Sequence, residues 1–293
     1  MLQPKILMTG ATSFVGTHVL TQLVKDGYQI VALKRPSSVP TLINNLVEWV
    51  DLAEIDNNQS LLANVTAIIH IATDYGRKDS SLVAQQMCNV ILPSKLLELM
   101  PKHGVKRFIS TDSFFGKYEH QYGYMRSYMA SKRHFAEISK IFAEENPSIS
   151  IQNLRLEHVY GENDKVNKFI PFIVEKLKSG EEINCTIATQ KRDFIYIKDV
   201  VSAYKHVLNS ELEPGYKEFE VGTGETAELR TIIEIIKNKL ESESQINYGA
   251  IALRDDEIMA SVADISSLKK LGWIPKHSLA EGIESMLGYN VNE

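Results

Sequence analysis

The sequence predicts a doubly wound α/β fold: a parallel sheet with helices on both faces, followed by a smaller mixed α/β region. Two patterns carry this. Through the first half, short apolar runs alternate with amphipathic stretches at helical spacing, and the runs are apolar on both sides, as in strands covered on both faces. After about residue 160 the alternation gives way to helical stretches separated by short irregular pieces.

In order, Lys5 to Thr9 reads as a buried strand, and residues 16–25 as a helix ended by Gly27. Strands are predicted over 28–33, 46–52 and 66–72, the last with the apolar run Ala67-Ile68-Ile69. A helix over 89–100 is closed by Pro101 and Gly104, and a fifth strand covers 105–110. A helix over 128–142 presents Phe135, Ile138 and Phe142 on one side, and a sixth strand opens at Ile149. Residues 171–178 and 229–240 read as helices. The expected division is a nucleotide-binding domain over 1–160, with returns to the sheet near 192–205 and 219–224, and a substrate-binding domain over 161–191 and 225–293.

Composition narrows the function classes. The 293 residues suffice for one large or two modest domains. A net charge of −5 argues against bulk nucleic-acid binding. Two cysteines cannot build a disulfide framework and fit a reducing cytoplasm. No apolar run approaches the ~18 residues of a membrane span, and the first residues lack a signal-peptide pattern. The expectation is a cytoplasmic protein without membrane, nucleic-acid or metal partners.

The first strand runs into Thr9-Gly10-Ala11-Thr12-Ser13-Phe14-Val15-Gly16, with a helix directly behind. Glycine at the strand end permits a tight turn, and glycine six residues on permits close helix–strand packing. The helix N-terminus offers N–H groups to a pyrophosphate, the arrangement of a Rossmann-type dinucleotide site. The alternative is a tight turn with no ligand. The second strand ends without the acid that binds a ribose 2′-hydroxyl; it carries Lys34, Arg35, Ser37 and Ser38 instead. This favours NADP(H) over NAD(H), against the plainer alternative of a solvated basic strand end. Tyr128 and Lys132 are four apart on a predicted helix and share a face. They follow the fifth strand, whose end carries Ser110-Thr111-Asp112-Ser113, on the side where doubly wound sheets bind ligands.

With these pieces in place, the chain resembles the extended short-chain dehydrogenase/reductases that act on nucleotide sugars, over essentially its full length. The likeness rests on residues 9–16, Asp51-Leu52, His70-Ile71-Ala72, Ser-Thr-Asp-Ser-Phe-Phe-Gly (110–116), Tyr128 with Lys132, and Leu-Arg-Leu-Glu-His-Val-Tyr-Gly (154–161). Arg-Asp-Phe-Ile-Tyr-Ile-Lys-Asp-Val (192–200) and Leu-Gly-Trp-Ile-Pro (271–275) complete it. Segments 111–115, 132–135 and 155–161, Met125-Arg126, Arg254-Asp255 and Glu257-Ile258-Met259 are most similar to members that reduce the 4-keto group of a CDP-activated 3,6-dideoxyhexose for surface polysaccharide (O-antigen) synthesis.

The resemblance implies that Tyr128 is the general acid, that Lys132 lowers its pKa and holds the nicotinamide ribose, and that Thr111 hydrogen-bonds the carbonyl oxygen. It places NADP(H) against Gly10, Thr12, Ser13, Phe14, Val15 and Gly16, against Lys34, Arg35, Ser38, Asp51 and Leu52, and against Ile71, Ala72 and Thr73, beside Tyr128 and Lys132. It assigns the substrate to Thr73, Tyr75, Thr111, Asp112, Ser113, His158, Lys168 and Phe169, with Arg192 and Arg254 on the diphosphate. Each arginine could instead form a surface ion pair, His158 could be a core histidine, and Asp112 could be a second acid or a structural group. Family dehydratases carry a glutamate after that aspartate; here Ser113 stands in its place, which argues for reduction. Reduction of a dTDP-linked 4-keto sugar, C4 epimerisation and a non-catalytic NADP(H) sensor are the alternatives. A homodimer through the Tyr-bearing helix and the helix before the fifth strand is also implied.

Overall fold

A computed structural model describes residues 4–57, 59–77, 80–117 and 123–289. The chain forms two compact units, Met1–Lys117 with Tyr124–Arg155 and Val201–Phe219, and Tyr118–Gly123 with Leu156–Val200 and Glu220–Glu293.

In the first unit, β1 (Lys5–Thr9), β2 (Gln29–Lys34), β3 (Val47–Asp51), β4 (Val65–His70), β5 (Arg107–Ser113), β6 (Ser150–Leu156) and β11 (Gly215–Val221) form one seven-stranded sheet in the order β11-β6-β5-β4-β1-β2-β3. The pairs from β3 through β5 are parallel. The expected doubly wound sheet is therefore present. The chain builds outward from β1 in one direction and from β4 in the other, so the crevice for a ligand opens beyond the carboxyl ends of β1 and β4. Register aligns those ends, with Thr9 beside Leu33 and His70, and Lys34 beside Asp51.

The apolar runs explain the burial. Leu7, Val31, Ile68, Phe108 and Ile151 on the strands pack with Leu96, Leu97 and Met100 of α3 (Leu92–His103) and Phe135 and Ala143 of α4 (Arg126–Glu145) in one core. Helix α1 (Phe14–Lys25) starts where Ser13 caps it. A short α2 (Leu82–Gln86) runs into a π-helical turn, Met87–Ile91, before α3. Pro101 lies inside the last turn of α3 and does not close it. The stop is made at Gly104, φ +71°, where Val105 N–H bonds the Met100 carbonyl across the left-handed residue.

In the second unit, β7 (His158–Tyr160) pairs with β10 (Phe194–Tyr196), and β8 (Ile183–Cys185) with β13 (Ile246–Tyr248). Strand β9 (Lys191–Arg192) lies between β12 (Ala227–Glu228) and β14 (Ala260–Ser261). The return to the central sheet expected at Phe194–Tyr196 is thus a strand of a separate small sheet, because its backbone pairs with residues 158–160; the return at Phe219–Val221 does join the large sheet, within β11. Helices α5 (Phe169–Lys178), α7 (Leu229–Lys239), α8 (Ser266–Lys270) and α9 (Leu279–Leu287) complete this unit, and α6 (Ile197–Asn209) carries residues of both units. Among the described residues no helix is long and apolar enough to cross a membrane, and no cluster of three metal-ligating side chains occurs.

Candidate active site

The turn after β1 is held by contacts that leave no room for larger side chains. Gly10 has φ +73°, and a Cβ there would lie 2.4 Å from Ala72 N; one on Gly16 would lie 1.9 Å from the Gly10 carbonyl oxygen. Ser13, standing where a middle glycine is usual, accepts from Gly16 N–H at 3.1 Å and caps α1. Thr12 lies in the turn, and Phe14 and Val15 open the helix. Beside the turn, Thr9 Oγ1 accepts from Ala72 N–H (3.3 Å) and meets His70 Nδ1 (2.8 Å), and Ile71 N–H donates to the Thr9 carbonyl. His70 is buried, and desolvation with the nearby Lys132 charge lowers its pKa to about 3, so its ring is neutral. A glycine-lined cradle at a helix N-terminus, closed against the end of β4, fits a dinucleotide pyrophosphate.

At the ends of β2 and β3 the structure divides the basic pair. Lys34 Nζ meets Asp51 Oδ1 at 2.6 Å, so its charge is already balanced by another residue assigned to the cofactor. Arg35 is exposed, and its carbonyl accepts from Ser38 N–H in a tight turn. Leu52 follows Asp51 into a short 3₁₀ turn.

Helix α4 brings Tyr128 and Lys132 to one buried face, 2% and 5% exposed. Lys132 Nζ donates to the Thr111 carbonyl (2.7 Å) and to Thr73 Oγ1 (3.2 Å). The Tyr75 ring lies 5.1 Å from the Tyr128 ring. Burial, then Tyr75 and Asp112, push the phenol pKa well above its ordinary value, opposed by the Ser113 side chain. Burial lowers the Lys132 pKa, against the nearby Asp112 and Cys88. In the ligand-free protein desolvation dominates the titration of the phenol. The result is a phenol that keeps its proton near neutral pH.

Thr111 Oγ1 donates to the His70 carbonyl (2.9 Å) and lies 2.6 Å from the Tyr204 hydroxyl. Asp112 is buried among hydrogen-bond donors. Oδ1 accepts from Ser113 N–H, and Oδ2 from Asn153 Nδ2 and Arg155 Nε, each at 3.2 Å. Arg155 in turn meets Glu218 at 2.9 Å.

Two contributors escaped the sequence. Asn89, buried in the π-helical turn, donates to the Asp74 carbonyl and to Ser131 Oγ and accepts from Asp74 N–H, tying the loop after β4 to α4. Tyr204 lies 93 residues from Thr111, and its position on α6 gave no signal.

In the second unit, His158 packs on Phe194 (5.2 Å), as does Phe169 (5.8 Å); Lys168 precedes α5 as its N-cap residue. Glu157, which the sequence left without a role, is buried and accepts from the Ser261 hydroxyl, with His158 Nδ1 at 3.4 Å. Burial lowers the His158 pKa, opposed by Glu157. Arg192 is 7% exposed and donates to Glu257 Oε1 at 2.8 Å. Arg254 is exposed and starts the turn that brings Glu257 there, Glu257 N–H donating to its carbonyl. In the ligand-free protein Arg192 is thus paired with Glu257, at a buried position rather than on the surface.

The chain is similar to known proteins to different extents. The chain is 58% identical over 283 residues to the CDP-abequose synthase of Salmonella muenchen, covering 97% of each chain. It is 40% identical to that of Salmonella typhimurium, covering 98% of each. Among solved structures, a UDP-glucose 4-epimerase from Thermotoga maritima superposes with a TM-score of 0.84 at 22% identity, covering 97% of this chain and 98% of that one. Residues 6–222 match the model of the NAD dependent epimerase/dehydratase family. The chain belongs to that family.

Proposed function

We infer that the protein is an oxidoreductase that uses NADPH to reduce the 4-keto group of a CDP-activated 3,6-dideoxyhexose, giving CDP-abequose for O-antigen assembly. The observation that carries this reading is the buried, proton-loaded Tyr128 beside Lys132 at the carboxyl end of the sheet, in a chain 58% identical to a CDP-abequose synthase over nearly its whole length. Ketone reduction needs an acid that arrives protonated, and desolvation supplies one. When bound, NADPH supplies the hydride. Tyr128 gives its proton to the sugar oxygen as negative charge develops there. Lys132, with two of its three protons on Thr111 and Thr73, keeps one for a ribose hydroxyl and stabilises the phenolate that remains. In the second unit, Arg192 and Arg254 supply the cations for the diphosphate, Arg192 exchanging Glu257 for phosphate oxygens. Side-by-side assays with CDP-4-keto-3,6-dideoxyglucose and dTDP-4-keto-6-deoxyglucose test the reading. Loss of NADPH absorbance with the CDP sugar, and identification of CDP-abequose, is the expected result; preference for the dTDP sugar overturns the choice of nucleotide.

Preference for NADPH rests on Arg35 more than on Lys34, because Asp51 already neutralises Lys34. Arg35→Ser should lower kcat/KM for NADPH by about 10–100-fold and leave NADH unchanged, the range for a charge-assisted hydrogen bond. Lys34→Ala should cost far less. Equal losses in the two variants would show that the ion pair opens on binding.

A homodimer is supported by apolar side chains exposed on adjacent helices. Leu82, Val83 and Met87 are exposed along α2 and the π-helical turn, and Ile141 on α4, which packs against both. Val83→Asp should convert the protein to monomers in sedimentation equilibrium with its helical content unchanged. A wild-type protein that sediments as a monomer would refute the dimer.

A further inference from the structure

We propose that Glu157 is a positioning residue for the nucleotide sugar: its buried carboxylate keeps the ring proton of His158 on Nδ1, so His158 must take a second proton from solvent before Nε2 can donate to the diphosphate. The inference rests on the reading of the second unit as the nucleotide-sugar site.

The Glu157 side chain is 1% exposed, and its Oε2 lies 3.4 Å from His158 Nδ1. Its two oxygens share the Ser261 hydroxyl, at 2.9 and 2.8 Å. An ionised carboxylate only accepts, so the imidazole nitrogen facing it is the one that carries the proton. Both backbones are pinned: Glu157 N–H donates to the Val221 carbonyl (3.0 Å) and His158 N–H to the Asp193 carbonyl (3.1 Å). The Phe194 ring, 5.2 Å away on the paired strand, packs on the imidazole. Nδ1 is closed to solvent while the side chain as a whole is 23% exposed, so a ligand meets the rest of the ring.

A neutral ring protonated on Nδ1 has a lone pair on Nε2 and no proton there. A phosphate oxygen is also an acceptor, so the two repel. The bond forms when Nε2 binds a proton from solvent; the imidazolium then donates Nδ1–H to Glu157 and Nε2–H to the diphosphate. The charged groups facing the ring set the starting point. Burial holds the His158 pKa below its ordinary value against Glu157; Arg192 adds to the lowering and Asp193 opposes it. Arg192 is paired with Glu257, and Asp193 accepts from Thr223, Gly224 and Ala263. The free ring is therefore neutral at neutral pH, and a diphosphate at Nε2 raises its pKa. A group whose pKa rises on binding takes up protons, so affinity is greatest on the acid side and falls as pH rises towards the pKa in the complex.

The test uses CDP-glucose, whose diphosphate is esterified at both ends and keeps a constant charge across the neutral range. Titration calorimetry in buffers of different ionisation enthalpy counts the protons taken up, and the same titrations give Kd against pH. Wild type should take up protons, with Kd rising by up to about tenfold per pH unit. His158→Asn should bind about tenfold more weakly on the acid side, the low end for a charge-assisted hydrogen bond, with no proton uptake and a flat profile. Glu157→Gln can present an amide N–H to Nδ1, which moves the ring proton to Nε2. It should bind without uptake and with a flat profile, whereas a carboxylate of purely structural value would leave weaker binding with wild-type uptake. If Glu157→Gln does not fold, wild type and His158→Asn decide. Wild-type binding without uptake, or uptake that persists in either variant, overturns the assignment and leaves the nucleotide-sugar reading intact. Failure of wild type to bind CDP-glucose overturns both.

Discussion

Tyr128→Phe should lower turnover by about 10³-fold, the middle of the range for loss of a positioned general acid, while NADPH affinity stays within about twofold of wild type. Tyr128 is 2% exposed with the Tyr75 ring tilted against it, so removing one oxygen leaves the packing of α4 intact. What disappears is the proton. Because burial raises the phenol's pKa, the wild-type acid is loaded through the neutral range. The reductive rate should therefore be flat near neutrality and fall only on the alkaline side, as pH rises through the pKa of the phenol. Tyr128→Phe should lose that limb. Steady-state kinetics across pH with titration of NADPH fluorescence measures both effects; a variant keeping a tenth or more of the turnover would remove Tyr128 from the acid's role.

Gly16→Ala should abolish cofactor binding and cost about 3 kcal/mol of stability, a large overpacking penalty. The added methyl would lie 1.9 Å from the Gly10 carbonyl oxygen and 2.9 Å from Ser13 Oγ. The nearer atom is backbone, so the turn must open or α1 must move off β1. Either movement disturbs the N–H groups offered to the pyrophosphate and the Ser13 cap together. Urea unfolding and NADPH titration read the two losses. Wild-type affinity in this variant would show that the cradle is not the pyrophosphate site.

How far the sequence reached depended on the range of each interaction. The β1–α1 turn was legible because its signals lie within residues 9–16, and the sheet because two-sided apolar runs report burial on both faces. Tyr128 and Lys132 shared a face by helical spacing alone. The Lys34–Asp51 pair was not legible: it depends on β2 and β3 being neighbours in a register that sets 34 opposite 51. The same holds for Glu157 and Ser261, 104 residues apart. Phe194–Tyr196 was misplaced because an apolar three-residue run reads the same whichever sheet accepts it. The direction of the Thr111 hydroxyl depends on a tyrosine that arrives on a distant helix.

The π-helical turn at Met87–Ile91 makes register along this helix a constraint separate from residue identity. Such a turn accommodates one residue more than regular α-helix does. Deleting a single residue here, Cys88 for instance, would restore ordinary winding, so the helical segments on either side would keep their faces while the residues within the turn were re-spaced around the axis. Asn89 would then swing off the line joining Asp74 to Ser131, although its codon was untouched. Substitutions should thus be tolerated at an exposed position of this stretch outside the proposed dimer face, such as Ile91, where length changes are not.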